Sequence, residues 1–176
     1  MAERSNLRWP SLPYNHTVLK MIRFCTLFVF GILLNLSAAS SQISLYPMQG
    51  FNFGTFYQGN SGGTISISTN GARTATGDIV LMNSWLPNAQ AVFEIEAAAG
   101  TRISISNGND GTLHGSKGGT LTLHLETTEP GPVFTTTAVL PARTTLNLSA
   151  KLIVGNRTVS PPGIYEGTFF IIFNQE

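Results

Sequence analysis

Between residues 64 and 173 the chain repeats one pattern, a short run in which every second residue is aliphatic or aromatic. Ile65 and Ile67 alternate with Thr64, Ser66 and Ser68; Phe93 and Ile95 with Glu94 and Glu96; Ile103 and Ile105 with Arg102, Ser104 and Ser106. Leu121, Leu123 and Leu125 alternate with Thr120, Thr122, His124 and Glu126, and Leu146, Leu148, Ala150, Leu152 and Val154 with Asn147, Ser149 and Lys151. Successive side chains of a strand point to opposite faces, so each run places its apolar residues on one face of a sheet. Gly62-Gly63, Asn70-Gly71, Asn107-Gly108, Asp110-Gly111, Gly118-Gly119 and Pro162-Gly163 punctuate the runs and predict tight reversals. Apart from one expected helical turn around Ser84 to Ala91, no helical period is sustained. Many short strands with frequent turns predict an all-β fold, a single antiparallel immunoglobulin-like or pilin-like β-sandwich.

Charged residues make up 11% of the chain, against about 25% in ordinary soluble domains. With a net charge of +1, nothing in the charge balance favours nucleic acid as a partner. The single cysteine, Cys25, excludes an intramolecular disulfide.

The N-terminal third reads differently. Met21, Ile22 and Arg23 form a short basic start, Phe24 to Leu36 is apolar but for Thr26, Gly31 and Asn35, and Ser37 to Ser41 are small. That order predicts a secretory signal over 21–41 rather than a membrane span, with cleavage before Gln42. Residues 1–20 are expected to be an extension without structure, either preceding the true start at Met21 or serving as a long n-region. The mature domain is then 42–176, with six basic against eight acidic residues and a net charge of −2. Its expected location is outside the cytoplasm, and the mature chain has no expected membrane span.

The ordered set Phe53-Gly54, Gly62-Gly63-Thr64-Ile65-Ser66-Ile67, Asn70-Gly71, Thr76-Gly77, Ala91-Val92-Phe93 and Pro162-Gly163-Ile164-Tyr165-Glu166-Gly167-Thr168-Phe169 resembles the domain-of-unknown-function 4402 family. The likeness covers about residues 51 to 174. It implies an exported bacterial β-sandwich related to pilin and adhesin domains, and it carries over no catalytic residue. A looser similarity is to chaperone–usher pilins, whose last strand follows a glycine fourteen residues from the end. Gly163 holds that place; Gln175 replaces their penultimate tyrosine and their cysteine pair is missing.

Several constellations hint at chemistry. Glu94 and Glu96 could form a hydrolytic carboxylate pair, but two acids side by side on one strand are read as a solvated polar face. His114, His124 and Glu126 contain metal-ligand types without the spacing of a known site. Asn107, Asn109 and Asp110 resemble the start of a calcium loop, but Gly111 occupies a ligand position, which leaves a hairpin turn as the reading. No nucleophile elbow, phosphate loop or dinucleotide motif occurs. The chain is therefore expected to be neither an enzyme nor a cofactor binder.

Two features point to binding. Trp85 could stack on a sugar, the basis of an alternative reading as a carbohydrate-binding module, or plug one end of the sandwich. The last strand, Tyr165 to Phe173, is apolar on both faces: Tyr165, Phe169, Ile171 and Phe173 on one, Phe170 and Ile172 on the other. Such a strand should be central in its sheet or covered by a partner. Phe170 and Ile172 are thus the expected self-association surface, and the expected function is that of an exported structural or adhesive protein, a fimbrial-like subunit, working through a strand edge.

Overall fold

A computed structural model describes residues 42–83 and 86–176. The expected extension and signal segment, as well as Ser84 and Trp85, lie outside the described residues. The described chain forms eleven strands: β1 Ser44–Gln49, β2 Phe56–Ile67, β3 Arg73–Leu81, β4 Ala91–Glu96, β5 Arg102–Asn107, β6 Gly111–Gly115, β7 Thr120–Glu129, β8 Val133–Thr135, β9 Thr144–Val154, β10 Tyr165–Gly167 and β11 Ile171–Gln175. All pairings between these strands are antiparallel. Residues 86–91 form no helical turn. Instead Ala89 bridges to Asn52 through two backbone hydrogen bonds, so backbone pairing satisfies what a helix would have.

β9 organises the larger sheet. Leu146, Leu148, Ala150, Leu152 and Val154 are all buried, as their alternation requires. Each large aliphatic side chain buried this way stabilises the fold by about 1.5–3 kcal/mol. One edge of β9 pairs with β7, while the other is shared: Thr144 to Leu148 pair with β4, and Ala150 to Val154 with β2. The eight-stranded sheet therefore forks, with β1 beyond β4 and β3 beyond β2, and runs on through β7 and β6 to β10. β5 sits between β8 and β11 in a separate three-stranded sheet. Ile103 and Ile105 of β5 share one buried cluster with the aliphatic residues of β2, β4, β7 and β9. The described residues thus form an all-β antiparallel sandwich, as their periodicity predicts.

Three glycine-containing dipeptides behave otherwise than expected. Gly62-Gly63 is not a turn but part of β2, at a bulge where residues 59–62 face the single residue Asp78. Ser61 N–H donates to Asp78 Oδ2 at 3.2 Å across it, and a Cβ on Gly63 would run into the Thr76 carbonyl. Asn107-Gly108 and Asp110-Gly111 do not make a hairpin. They turn the chain from β5 in the small sheet to β6 in the large one.

The final strand crosses at the same corner. β10 pairs with β6 up to Gly167↔Leu113, and β11 pairs with β5 from Ile171↔Asn107, so residues 168–170 face residues 108–112. Backbones meet closely there: a Cβ would lie 2.6 Å from the Phe170 oxygen if placed on Gly108, and 2.8 Å from the Thr168 oxygen if placed on Gly111. The single strand expected over Tyr165 to Phe173, central in its sheet or covered by a partner, is therefore two short strands, each at the edge of its sheet.

Candidate functional site

β1 pairs with β4 in a register that sets Leu45 opposite Ile95 and Pro47 opposite Phe93. Ile95 is buried in the core, so Leu45 and Pro47 lie on the core side of the sheet. Leu45 is nevertheless 40% exposed, because nothing among the described residues covers the sandwich along this border. The opening is a groove of about 670 Å³ between β1 and the β10–β11 segment, lined by Leu45, Pro47, Met48, Phe93, Phe169 and Phe170 among others.

Its floor is aromatic. The Phe169 ring lies 5.2 Å from Phe51 and 6.4 Å, edge-on, from Phe93, whose ring is 6.2 Å from Phe173. Phe169, Ile171 and Phe173 pack against the core, as the alternation of the strand predicts. Phe170 is 71% exposed and Ile172 51% exposed, so none of the described residues forms a second layer over the outward pair. At the entrance to β10, Tyr165 Oη donates to the Pro161 carbonyl at 2.6 Å. Burial pushes the Tyr165 phenol above its ordinary pKa.

The backbone of β11 has one side paired with β5 and one side that no other described strand pairs with. Gly108 N–H donates to the Phe170 carbonyl at 3.1 Å and Glu176 N–H to the Arg102 carbonyl at 3.0 Å. In an antiparallel ladder alternate residues turn their N–H and C=O to the same neighbour. Phe170, Ile172, Asn174 and Glu176 therefore face β5, and the backbone groups of Ile171, Phe173 and Gln175 point away from it, toward an edge with no strand partner among the described residues.

The remaining candidates are dispersed. Glu94 and Glu96 do share a strand face, but they are half-buried and paired rather than free in solvent. Arg143 Nη1 donates to Glu94 Oε2 at 3.0 Å and its Nε to Glu96 Oε2 at 3.1 Å, while the guanidinium stacks 3.7 Å over the Tyr46 ring. Hydrogen bonds to Glu94 first, then Glu96, hold the Arg143 pKa above its usual value. His124 Nδ1 lies 2.7 Å from Asp110 Oδ1, and Glu126 pairs with Lys151. His114 stands in register with Glu166. Among the described residues no three His, Cys, Asp or Glu gather as a metal site. Asn107 Nδ2 donates to the Leu125 carbonyl at 2.9 Å, which commits that side chain to holding the corner. No helix of the described residues is long and apolar enough to cross a membrane.

Sequence reasoning places Phe170 and Ile172 on the outward face of the last strand, where both are exposed, but misses β1. Leu45 and Pro47 flank Tyr46 in correct alternation. Pro47 hides the strand, because proline interrupts a strand pattern except at an edge, and β1 is an edge.

The fold and the groove define a class: an antiparallel β-sandwich with an apolar groove bordered by strand edges. Within that class the chain belongs to the family described as Domain of unknown function (DUF4402), whose model matches residues 43–174. No curated protein and no solved structure matches the chain.

Proposed function

We propose that the domain is an exported structural or adhesive surface protein, a fimbrial-like subunit that works by association and performs no catalytic step. The observation that carries this reading is the uncovered groove, where core-side residues such as Leu45 and the aromatic floor remain open beside the exposed Phe170. An apolar opening flanked by an unpaired strand is what strand addition requires: backbone groups supply affinity and side-chain pockets supply specificity. The apolar run Phe24 to Leu36 and the small residues after it support export.

Two measurements test this. Sedimentation of the protein over a range of concentrations should reveal self-association that Phe170→Ala weakens, with the thermal melt of the variant unchanged. Cell fractionation with N-terminal sequencing should find the product outside the cytoplasm, beginning near Gln42. A monomer indifferent to Phe170 at every concentration would remove the association reading, and a product retaining Phe24 to Leu36 would overturn export through a cleaved signal.

A further inference from the structure

Strand β1 is held less firmly than its place in the larger sheet suggests. Of its six residues five are exposed, and Tyr46 alone is half-buried. It pairs with β4 along one side, and among the described residues no strand pairs with the other. Pro47 offers no N–H to that ladder, and the register shifts between Pro47 and Gln49. Burial of apolar surface is the main force that keeps a strand in place, and β1 contributes little of it. Just beyond the strand, Gly50 has open space where a Cβ would stand. The chain is anchored again at Asn52, which exchanges two backbone hydrogen bonds with Ala89, and at the buried Phe53. At the other end the half-buried Ile43 packs on the core.

One side chain compensates. Arg143, just before β9, reaches across β4: its Nη1 donates to Glu94 Oε2 at 3.0 Å and its Nε to Glu96 Oε2 at 3.1 Å. The guanidinium lies 3.7 Å over the ring of Tyr46, which stands in register with Glu94. The two carboxylates thus aim the cation, and the cation holds the one half-buried residue of β1. Gln49 Nε2 adds a bond to the Gln90 carbonyl at 2.8 Å. We propose that β1 is a latched strap. It lifts from β4 as a unit, hinged at Gly50, while the rest of the sandwich stays folded, and Arg143 is its latch.

Lifting β1 disturbs little else. β4 keeps its other edge paired with Thr144 to Leu148 of β9, and its buried Ala91 and Ile95 stay in the shared core. β1 supplies Leu45, Pro47 and Met48 to one side of the apolar groove. Its release turns the groove into an open shelf and frees one backbone edge of β4. The strap therefore sets how wide the groove stands, within a single copy of the chain and whether or not copies associate. The charged groups of the latch are about one-third exposed, so salt weakens their attraction.

Native-state hydrogen exchange of the full chain in low denaturant, read by mass spectrometry, tests this. Amides of β1 should exchange at least about tenfold faster than those of β9, and with almost no dependence on denaturant, because a strap exposes little surface when it opens. Arg143→Gln should speed exchange in β1 about three- to tenfold, the combined worth of surface ion pairs and a cation–π contact, and added salt should shrink that difference. Leu152→Ala supplies the contrast. Leu152 is buried where β9 pairs with β2 and β7 rather than with β4, and its neighbours stay folded when the strap lifts. This variant should speed exchange in β9 and lower the melting temperature, yet leave β1 exchange unchanged. Amides of β1 that share the denaturant dependence of β9, or that respond to Leu152→Ala, would mean that the strand opens only with the whole domain and would overturn the strap. Exchange of β1 at the rate of an unfolded peptide would overturn it from the other side, since no strand would then be seated. Exchange indifferent to Arg143→Gln at low salt would remove Arg143 as the latch.

Discussion

Phe169 and Phe170 adjoin in sequence but occupy different surroundings. Phe169 packs on Phe51 and Phe93 at the groove floor, and Phe170 is mostly in solvent. Truncating a buried Phe to Ala costs about 3–5 kcal/mol, because a cavity remains. Phe169 is only partly covered, so Phe169→Ala should cost about 3 kcal/mol, measurable by chemical denaturation. Phe170→Ala should stay within about 0.5 kcal/mol, as surface changes do. Equal losses from both would mean that Phe170 is covered in the monomer. Glu94 and Glu96 call for a different measurement. Their partner Arg143 sits at the surface, where ion pairs contribute little and are screened by salt. Glu94→Gln or Glu96→Gln alone should leave the melt unchanged, because the other carboxylate still holds Arg143. The double variant should melt lower at low salt and match wild type at high salt. A salt-independent loss would indicate packing rather than charge. Alternation in the sequence identifies the face these two acids occupy. Arg143, 47 residues beyond Glu96, becomes their partner only through the β4–β9 register, which sequence spacing cannot supply.

Strands with a regular period and one wet face are legible from sequence: β5, β7 and β9 bury the residues that their alternation selects. Irregular elements are not. β1 is obscured by Pro47, and β2 looks like a turn at Gly62-Gly63 because the same glycines that permit tight reversal also permit a bulge. The difference lies in what faces them. Gly63 stands opposite Gly77 so closely that a Cβ would strike the Thr76 carbonyl and the Ile79 side chain. Backbone oxygen held in a sheet cannot step aside, so Gly63→Ala should destabilise the domain by about 1–3 kcal/mol, the usual cost of overpacking. Had these glycines formed a loose turn, alanine would be tolerated, and urea midpoints distinguish the two cases. The break at residues 168–170 is similarly invisible in sequence. The apolar alternation continues through it, because Phe169 still faces inward while the backbone changes sheets.

At the scale of the molecule, the two sheets share one interior. Ile103 lies in the three-stranded sheet and Leu148 in the forked one, both fully enclosed in the same cluster. The chain joins the sheets at a corner where β5–β6 and β10–β11 cross together, held by the Gly108–Phe170 hydrogen bond. A small sheet with its own core could melt alone. One whose inner face is half of a shared core cannot leave without exposing the other half. Ile103→Ala and Leu148→Ala should therefore act on one transition. Each should cost about 2–5 kcal/mol through the cavity left behind. Against a domain stability of about 5–15 kcal/mol, either loss is large. The decisive observation is coincidence: unfolding followed by far-ultraviolet circular dichroism and by tyrosine fluorescence should give one midpoint in wild type and in both variants. If Ile103→Ala instead produced an early partial transition, with Leu148→Ala shifting only the later one, the small sheet would be a separately melting unit. The edge at β11 would then belong to a flap rather than to a fixed surface.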